Sequence, residues 1–270
     1  MPSSRYYRFK SHSSKERAKK RKTILLKFVF AVVFIFVGWL FFVSPFFKIT
    51  EIKLPKNDTV TDNDIRKIMA GSAPFDLGEN LFILSRDNIK TALTAAFPAI
   101  TDINVEKKLF NGLTVNFEKR IPVGIWCHPT DDHPEGGHCY YFDKEGIVFK
   151  EAPLTEGGLI LKIEDSGNRE LSLGEKAINT ELLKFMMDFN NKFLENSQVK
   201  ITGFKIGPSA DFDLTAVTAL GWLIYLDQKQ APASVASNLF TILSEVIKNK
   251  VSNLEYIDLR TPSRIFYKLK

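Results

Sequence analysis

An apolar run near the N-terminus constrains this chain more than any other feature. Residues 23–47 are almost entirely apolar, and the twenty residues 28–47 contain no charge. A helix rises about 1.5 Å per residue, so ~20 apolar residues cross a hydrocarbon core ~30 Å thick. Lys27 lies one turn inside the run, where its side chain can extend to the headgroups. We therefore predict one transmembrane helix over residues 23–47.

Positive charge is concentrated before this helix. Residues 1–27 hold ten Lys or Arg and one acid, a net charge of +9, whereas the whole chain is +6 and residues 28–270 therefore carry −3. Positive charge beside the first membrane helix keeps that side in the cytoplasm. We predict a cytoplasmic basic tail over residues 1–22, a single pass and ~220 residues outside the membrane. Topology and anionic lipid already explain the basic cluster, so no nucleic-acid partner is predicted.

Two other interpretations of the run remain open. A cleaved signal peptide has a shorter apolar core of ~7–15 residues and a small-residue cleavage site, whereas this run ends in SPFF without an A-x-A pattern. A buried core helix would show a polar stripe, which this run lacks. The sequence favours a retained membrane helix over both.

Residues 48–119 predict a small domain with the element order β-α-α-β-β. The segment KITEIKL alternates as a strand, Thr61 is placed to cap a first helix and Ser85 a second. Two alternating runs follow, joined at Asn111-Gly112, a pair typical of a tight hairpin because both residues accept positive φ. None of these residues forms a catalytic pattern, so the segment is interpreted as a binding module.

Residues 120–270 predict a second domain of mainly antiparallel strands. Short strands with turn signals recur along it, and two amphipathic helices interrupt them, at residues 181–195 and from Pro232 onward. The fold class predicted for the whole region outside the membrane is therefore α+β. The motifs G-x-S-x-G and H-E-x-x-H and a P-loop are absent from the sequence, and no enzyme or cofactor is predicted.

Both cysteines and three of the four histidines fall within thirteen residues: Cys127, His128, His133, His138 and Cys139. Thiolate and imidazole are zinc ligands, but the spacing matches no common zinc pattern. Residues 128–138 predict a polar loop between two strands. One strand ends at Cys127 and the other begins at Cys139, so antiparallel pairing would place the two cysteines opposite each other. We favour a disulfide, which an oxidising compartment permits. A zinc site and free thiols remain open.

The end of the chain carries a family resemblance. The stretch NLEYIDLRTPSRIFYK (253–268) resembles the closing motif of the FtsQ/DivIB cell-division proteins. Three more stretches agree in order and spacing. FKITEIKL (47–54) is similar to the first strand of the family's POTRA domain, LFNGLTVNFEKRIPVGIW (109–126) to its last hairpin, and GWLIYL (221–226) to the stretch before the closing motif. The Cys/His segment is not part of the family pattern.

This resemblance implies a non-enzymatic scaffold of the divisome. It implies a basic tail, one helix in the cytoplasmic (inner) membrane, a POTRA domain at 48–119 and a β domain at 120–270. The implied partners are FtsL and FtsB (DivIC in some bacteria), and through them the FtsW and FtsI enzymes that make septal peptidoglycan. In the family, the last strand region of the β domain receives FtsB.

The residues of the last strand favour a binding role independently. A short terminal strand often lies at a sheet edge, where a partner strand can pair with unpaired main-chain groups. The candidate partner-binding residues are Arg264, Ile265, Phe266, Tyr267 and Lys268. The alternative is an ordinary strand whose edge is blunted by Arg264 and Lys268. Two other function classes stay open: a POTRA-bearing transport or secretion component, and a membrane-anchored zinc protein built on the Cys/His segment.

Overall fold

The structure is a computed structural model whose described residues form two compact units. One lies within Met1–Ala92 and Asn104–Asn116, and the other within Leu93–Ile103 and Phe117–Lys270. The described residues are 13–42, 44–56, 59–72, 77–109, 111–130, 133–153, 160–167, 171–197, 199–207 and 214–270. The predicted boundary between Lys119 and Arg120 stays a prediction, and the first twelve residues of the predicted basic tail lie outside the described residues.

The apolar run lies in one long helix, α1 (Ser13–Phe42). The segment from Lys19 to Phe47 reaches a mean hydropathy of 2.7 with none of its apolar window buried, so it is long and apolar enough to cross a membrane. The helix begins ten residues before the predicted start, because the basic segment is rich in good helix formers. It ends five residues early, because Pro45 disfavours helical geometry in the preceding residue.

A three-stranded sheet and two helices follow in the predicted order β-α-α-β-β. Strand β1 lies beside β3 in parallel, and the sheet order is β1-β3-β2. The bounds are β1 (Glu51–Lys53), α2 (Asp62–Gly71), α3 (Arg86–Ala96), β2 (Ile100–Lys108) and β3 (Gly112–Lys119).

Helix α2 begins at the predicted cap. The Thr61 hydroxyl accepts a hydrogen bond from the Asp64 amide, and the Asp64 carboxylate accepts one from the Thr61 amide at 3.0 Å, a reciprocal capping box. The hydrogen bonds from Thr61 also hold the pKa of Asp64 below its usual value.

The second unit is built on a nine-stranded sheet with the order β12-β11-β10-β9-β8-β7-β4-β5-β6. Five of its eight neighbouring pairs are antiparallel. The bounds are β4 (Gly124–Thr130), β5 (His133–Phe142), β6 (Val148–Glu151), β7 (Leu161–Asp165), α4 (Thr180–Asn196), β8 (Ile201–Ile206), β9 (Leu214–Thr218), β10 (Leu223–Leu226), α5 (Pro232–Thr241), β11 (Leu254–Asp258) and β12 (Phe266–Leu269).

The core of this unit lies between the sheet and its two amphipathic helices. Along α4, Phe185, Phe189 and Phe193 stack with ring centroids 6.3 and 6.2 Å apart. They join one buried cluster with side chains of α5 and with alternate residues of the strands, such as Ile224 and Ile257. The predicted pair of helices is thus present, and each buries one face because its apolar residues recur at helical spacing.

One local prediction was wrong. Residues 128–138 were expected to form a polar loop, but strands β4 and β5 extend to Thr130 and His133, which pair with each other. Polar residues fit a hairpin arm because cross-strand hydrogen bonds use the main chain alone. The second predicted helix, from Pro232 onward, is present as α5 to Thr241 and continues as a π-helical segment to Ile247.

Two glycines with similar positive φ allow the free-energy cost of a strained backbone to be measured apart from the cost of a steric clash. Gly146 has φ +80° and a Cβ there would lie 2.2 Å from the Ile178 carbonyl oxygen, whereas Gly221 has φ +81° and open space around it. Gly221→Ala should therefore cost only the left-handed backbone penalty, about 1–2 kcal/mol. Gly146→Ala should cost at least about 3 kcal/mol, because the backbone must also move. Urea unfolding of both variants measures the difference, and equal losses would contradict the overlap.

Candidate functional site

Strand β12 lies at one end of the nine-stranded sheet. It pairs antiparallel with β11, and among the described residues no strand lies on its other side. Phe266 is 53% exposed and Tyr267 is 44% exposed. The end of the sheet therefore presents a main-chain edge with large apolar side chains beside it.

The five predicted binding residues divide between two faces of the sheet. Ile265 is half-buried and packs against the core cluster. Phe266 stands opposite Asp258 in the ladder, so both side chains point to the same face, away from the buried Ile257. Arg264 and Lys268 are exposed. Ile265 thus holds the strand to the core. Tyr267 stands opposite Ile257 on that same face but remains 44% exposed, whereas Phe266 and Lys268 are exposed on the other face.

Ionic contacts hold the accessible face of β11 and β12 in place. Lys268 Nζ lies 2.8 Å from Glu255 Oε2 on the neighbouring strand, and this hydrogen bond raises the pKa of Lys268. Arg260 donates to both carboxylate oxygens of Asp258, at 3.0 and 2.7 Å. The first contact joins β12 to β11, and the second lies within β11 and the residues that follow it.

An aromatic and cationic stack continues this face onto β10. The Arg260 guanidinium lies 5.1 Å from the centroid of the Tyr225 ring, which lies 5.4 Å from the Tyr256 ring. Such a cation–π contact adds about 0.5–1 kcal/mol at an exposed site. The sequence placed Asp258 and Arg260 on one face, but Tyr225 is about thirty residues away in the chain and no local pattern reveals its contact.

The Cys/His segment forms the disulfide hairpin of β4 and β5. Cys127 and Cys139 stand opposite each other in the ladder and are joined by a disulfide, with exposed fractions of 1% and 5%. His128 Nδ1 lies 3.1 Å from the carbonyl oxygen of Asp165, and its ring stacks on Trp126. The bridge therefore staples a buried part of the hairpin.

The structure also bears on the zinc hypothesis. His138 is exposed on β5, and the side chain of His133 lies outside the described residues. Within the described part of the chain, no three His, Cys, Asp or Glu side chains are grouped as metal ligands would be. With both sulfurs in the disulfide, the remaining candidate ligands are the imidazoles of His128, His133 and His138.

A buried ion pair in the second unit was missed by sequence reasoning. The Arg120 guanidinium contacts the carboxylates of Asp143 and Glu145, and its Nε donates to the carbonyl oxygen of Pro98 at 2.9 Å. Only 8% of the Arg120 side chain and 7% of the Asp143 side chain are exposed. Removing one partner of such a pair is strongly destabilising, so this contact is structural. Arg120 and Asp143 are 23 residues apart in the chain, so their contact can be recognised only once the fold is known.

Comparison with known proteins identifies the first folded region. Residues 47–120 match the family model of the POTRA domain, FtsQ-type. The chain carries a POTRA domain of the FtsQ type. No curated protein matches the chain. The match confirms the resemblance to the FtsQ/DivIB family that the closing motif indicated.

The FtsQ-type domain and α1 together indicate the general role of the chain. They support a membrane-anchored protein of cell division. FtsQ-type POTRA domains occur in non-enzymatic scaffolds, and the domain indicates a role in protein–protein interaction. Among the described residues, the edge of β12 is an exposed surface suited to such an interaction.

The Asp258–Arg260 pair predicts a pH-dependent stability of the β12 edge. The hydrogen bond from Arg260 lowers the pKa of Asp258 below its usual value, against the opposing effect of burial. The folded state therefore gains stability from this carboxylate above the unfolded pKa, and loses it as the pH falls through the folded pKa. Urea unfolding between neutral pH and pH ~2 should show a smaller acid-induced loss in Asp258→Asn than in the wild type.

The matched variant for that test is Arg260→Gln, which removes the cation and keeps the carboxylate. The acid-induced loss of stability should also be smaller in this variant than in the wild type, because the pKa of Asp258 then returns toward its usual range. An acid-induced loss that is unchanged in both variants would show that this pair does not stabilise the folded state.

The disulfide predicts a measurable contribution to stability. Cys127 and Cys139 are separated by 12 residues in sequence, and a bridge closing such a loop stabilises by about 3 kcal/mol in the chain-entropy model. Replacing both cysteines with alanine should lower the free energy of unfolding by about that amount, as measured by urea titration. A wild-type protein that takes up a thiol-alkylating reagent after unfolding without reductant would contradict the bridge.

Proposed function

We propose that this chain is a non-enzymatic divisome scaffold that binds FtsB (DivIC) and FtsL outside the cytoplasmic membrane. Through them it helps control septal peptidoglycan synthesis by FtsW and FtsI. The FtsQ-type POTRA domain supports a role in division. The basic residues before the apolar run support a cytoplasmic N-terminus, which leaves the folded units outside, at the septum.

The assignment of these partners rests mainly on the exposed edge of β12. No other strand covers it in the described part of the chain, and a partner strand can extend the sheet there. Main-chain hydrogen bonds would supply affinity, and the exposed rings of Phe266 and Tyr267 would supply specificity.

The opposite edge of the sheet is a natural comparison. Strand β6 exposes the charged Lys150 and Glu151, and charge discourages strand addition. A following segment also covers it: Val148 donates to the Glu175 carbonyl at 3.0 Å, and Gly174 donates to the Val148 carbonyl at 2.7 Å. Among the described residues the β12 edge has no such covering segment and exposes two aromatic rings, so it is the better docking site for a strand.

The other two hypotheses have less support. A transport or secretion component would use the same small domain, but the matched model is of the FtsQ type. A zinc protein would need the Cys/His segment as its ligand set, and the two cysteines are joined in a disulfide.

A binding assay tests the proposal at the edge. The full-length chain in nanodiscs is titrated with the extracytoplasmic part of the host's FtsB-like protein. Phe266→Glu and Tyr267→Ala should each weaken binding at least about tenfold, or 1.4 kcal/mol, because each removes apolar contact at the docking edge. Circular dichroism verifies that each variant is folded.

The matched control is Phe240→Glu on α5. Phe240 is also a half-exposed phenylalanine of the second unit, at 44% against 53% for Phe266, but it belongs to helix α5 and not to a strand of the sheet. Its substitution should leave the affinity unchanged. Equal weakening by Phe240→Glu and Phe266→Glu, or binding that survives both edge variants, would move the contact elsewhere.

A further inference from the structure

Four phenylalanine rings join the end of α1 to a turn of the first unit. Phe82 lies in this turn, which covers residues 79–83. Its ring centroid is 5.4 Å from that of Phe41 and 4.9 Å from that of Phe47, and Phe46 packs on Phe47 at 5.1 Å. These separations are typical of favourable aromatic pairs. Even so, Phe82 is 49% exposed and Phe46 is 60% exposed.

Asn80 connects the same turn to the end of the helix. Its side chain is buried, and Nδ2 donates to the carbonyl oxygens of Phe41 at 2.9 Å and Phe42 at 3.2 Å. Oδ1 accepts a hydrogen bond from the Phe82 amide at 2.9 Å. The last carbonyls of a helix lack partners within it, and unpaired carbonyls are costly near lipid. Asn80 satisfies two of them.

Main-chain contacts fix the turn further. The Ile49 amide donates to the Glu79 carbonyl at 2.8 Å, and the Leu81 amide donates to the Phe47 carbonyl at 2.9 Å. Lys48 Nζ lies 2.7 Å from Glu79 Oε2, so the single acid of the turn is paired with a cation. The turn is thus held at the end of α1 without unpaired charge.

The length of α1 gives the depth of this turn in the bilayer. The helix ends at Phe42, and the twenty residues that end there, 23–42, span about 30 Å, the thickness of the hydrocarbon core. This frame leaves Lys27 one turn inside the opposite boundary, where its side chain can reach the headgroups. Phe41 then lies at the second boundary, and Phe82 lies beside it.

We propose that the turn 79–83 is a second lipid contact of this chain, with the Phe82 ring inserted at the hydrocarbon–headgroup boundary of the phospholipid bilayer. Continuity with the exposed apolar surface of α1 favours lipid over a protein partner, because the same surface runs from the helix onto the Phe46 and Phe82 rings. The contact fixes the first unit at the membrane surface. It is independent of partner binding at β12.

Contact quenching by brominated phospholipid tests this placement. The chain has three tryptophans, of which Trp126 and Trp222 are buried, with exposed fractions of 1% and 0%. Trp39→Phe therefore leaves a background without accessible tryptophan, and Phe82→Trp adds one. The full-length double variant is reconstituted in nanodiscs of phosphatidylethanolamine and phosphatidylglycerol, with bromine either near the headgroup or near the chain end.

The expected result is a loss of emission with bromine near the headgroup and a smaller loss with bromine near the chain end. Trp39→Phe alone should show neither loss. The matched comparison is Leu109→Trp in the same background, since Leu109 belongs to the first unit and is 79% exposed. Emission at position 82 that is no more quenched than at position 109, or than in the background, overturns the proposal.

A second probe, nearly isosteric with phenylalanine, tests the same contact if the tryptophan variant fails to fold. para-Fluorophenylalanine at position 82 should show faster ¹⁹F relaxation when nitroxide-labelled phospholipid is added to the nanodisc. A fluorinated residue at position 109 should show a smaller change. Relaxation at position 82 that does not respond to the labelled lipid overturns the proposal even if the tryptophan variant fails to fold.

Discussion

The second unit depends on burial of one face of its nine-stranded sheet beneath α4 and α5. Phe189, Trp222 and Leu239 are all fully buried in this one cluster, and each large apolar side chain contributes about 1.5–3 kcal/mol when buried. Two helices can cover a face of a sheet but not its ends. The edges are therefore protected separately from the core. A partner strand can add to an edge without disturbing the side chains that are buried in the core.

The two edges of this sheet differ in how they are covered and in which side chains they expose. Beyond β6, a covering segment and two exposed charges close the ladder. At β12, the exposed groups include the rings of Phe266 and Tyr267, while the strand itself is secured by Ile265 on the core side and by the Lys268–Glu255 pair on the other. An open edge that is also firmly held is suited to recognition, because little ordering entropy remains to be lost on binding.

Local periodicity predicted most of the elements, since helical and strand spacing depend on nearby residues. The Thr61 cap and the pairing of Cys127 with Cys139 follow from such short-range signals. The contact of Asn80 with Phe41 does not, because 39 residues separate them. For the same reason, the sequence listed the candidate residues of β12 and their alternation but not which face meets the core.

The two proposed contacts depend on different interactions, so they differ in how specifically each can recognise a partner. Insertion of Phe82 into lipid is non-directional, so it fixes depth and is satisfied by any bilayer of suitable thickness. Strand addition at β12 requires hydrogen-bond register along the edge, and Phe266 must find a complementary side chain. Lipid contact can therefore position this chain without choosing a partner. Selection of a particular division protein then falls to the strand edge, where a register error of one residue would reverse the facing of every side chain.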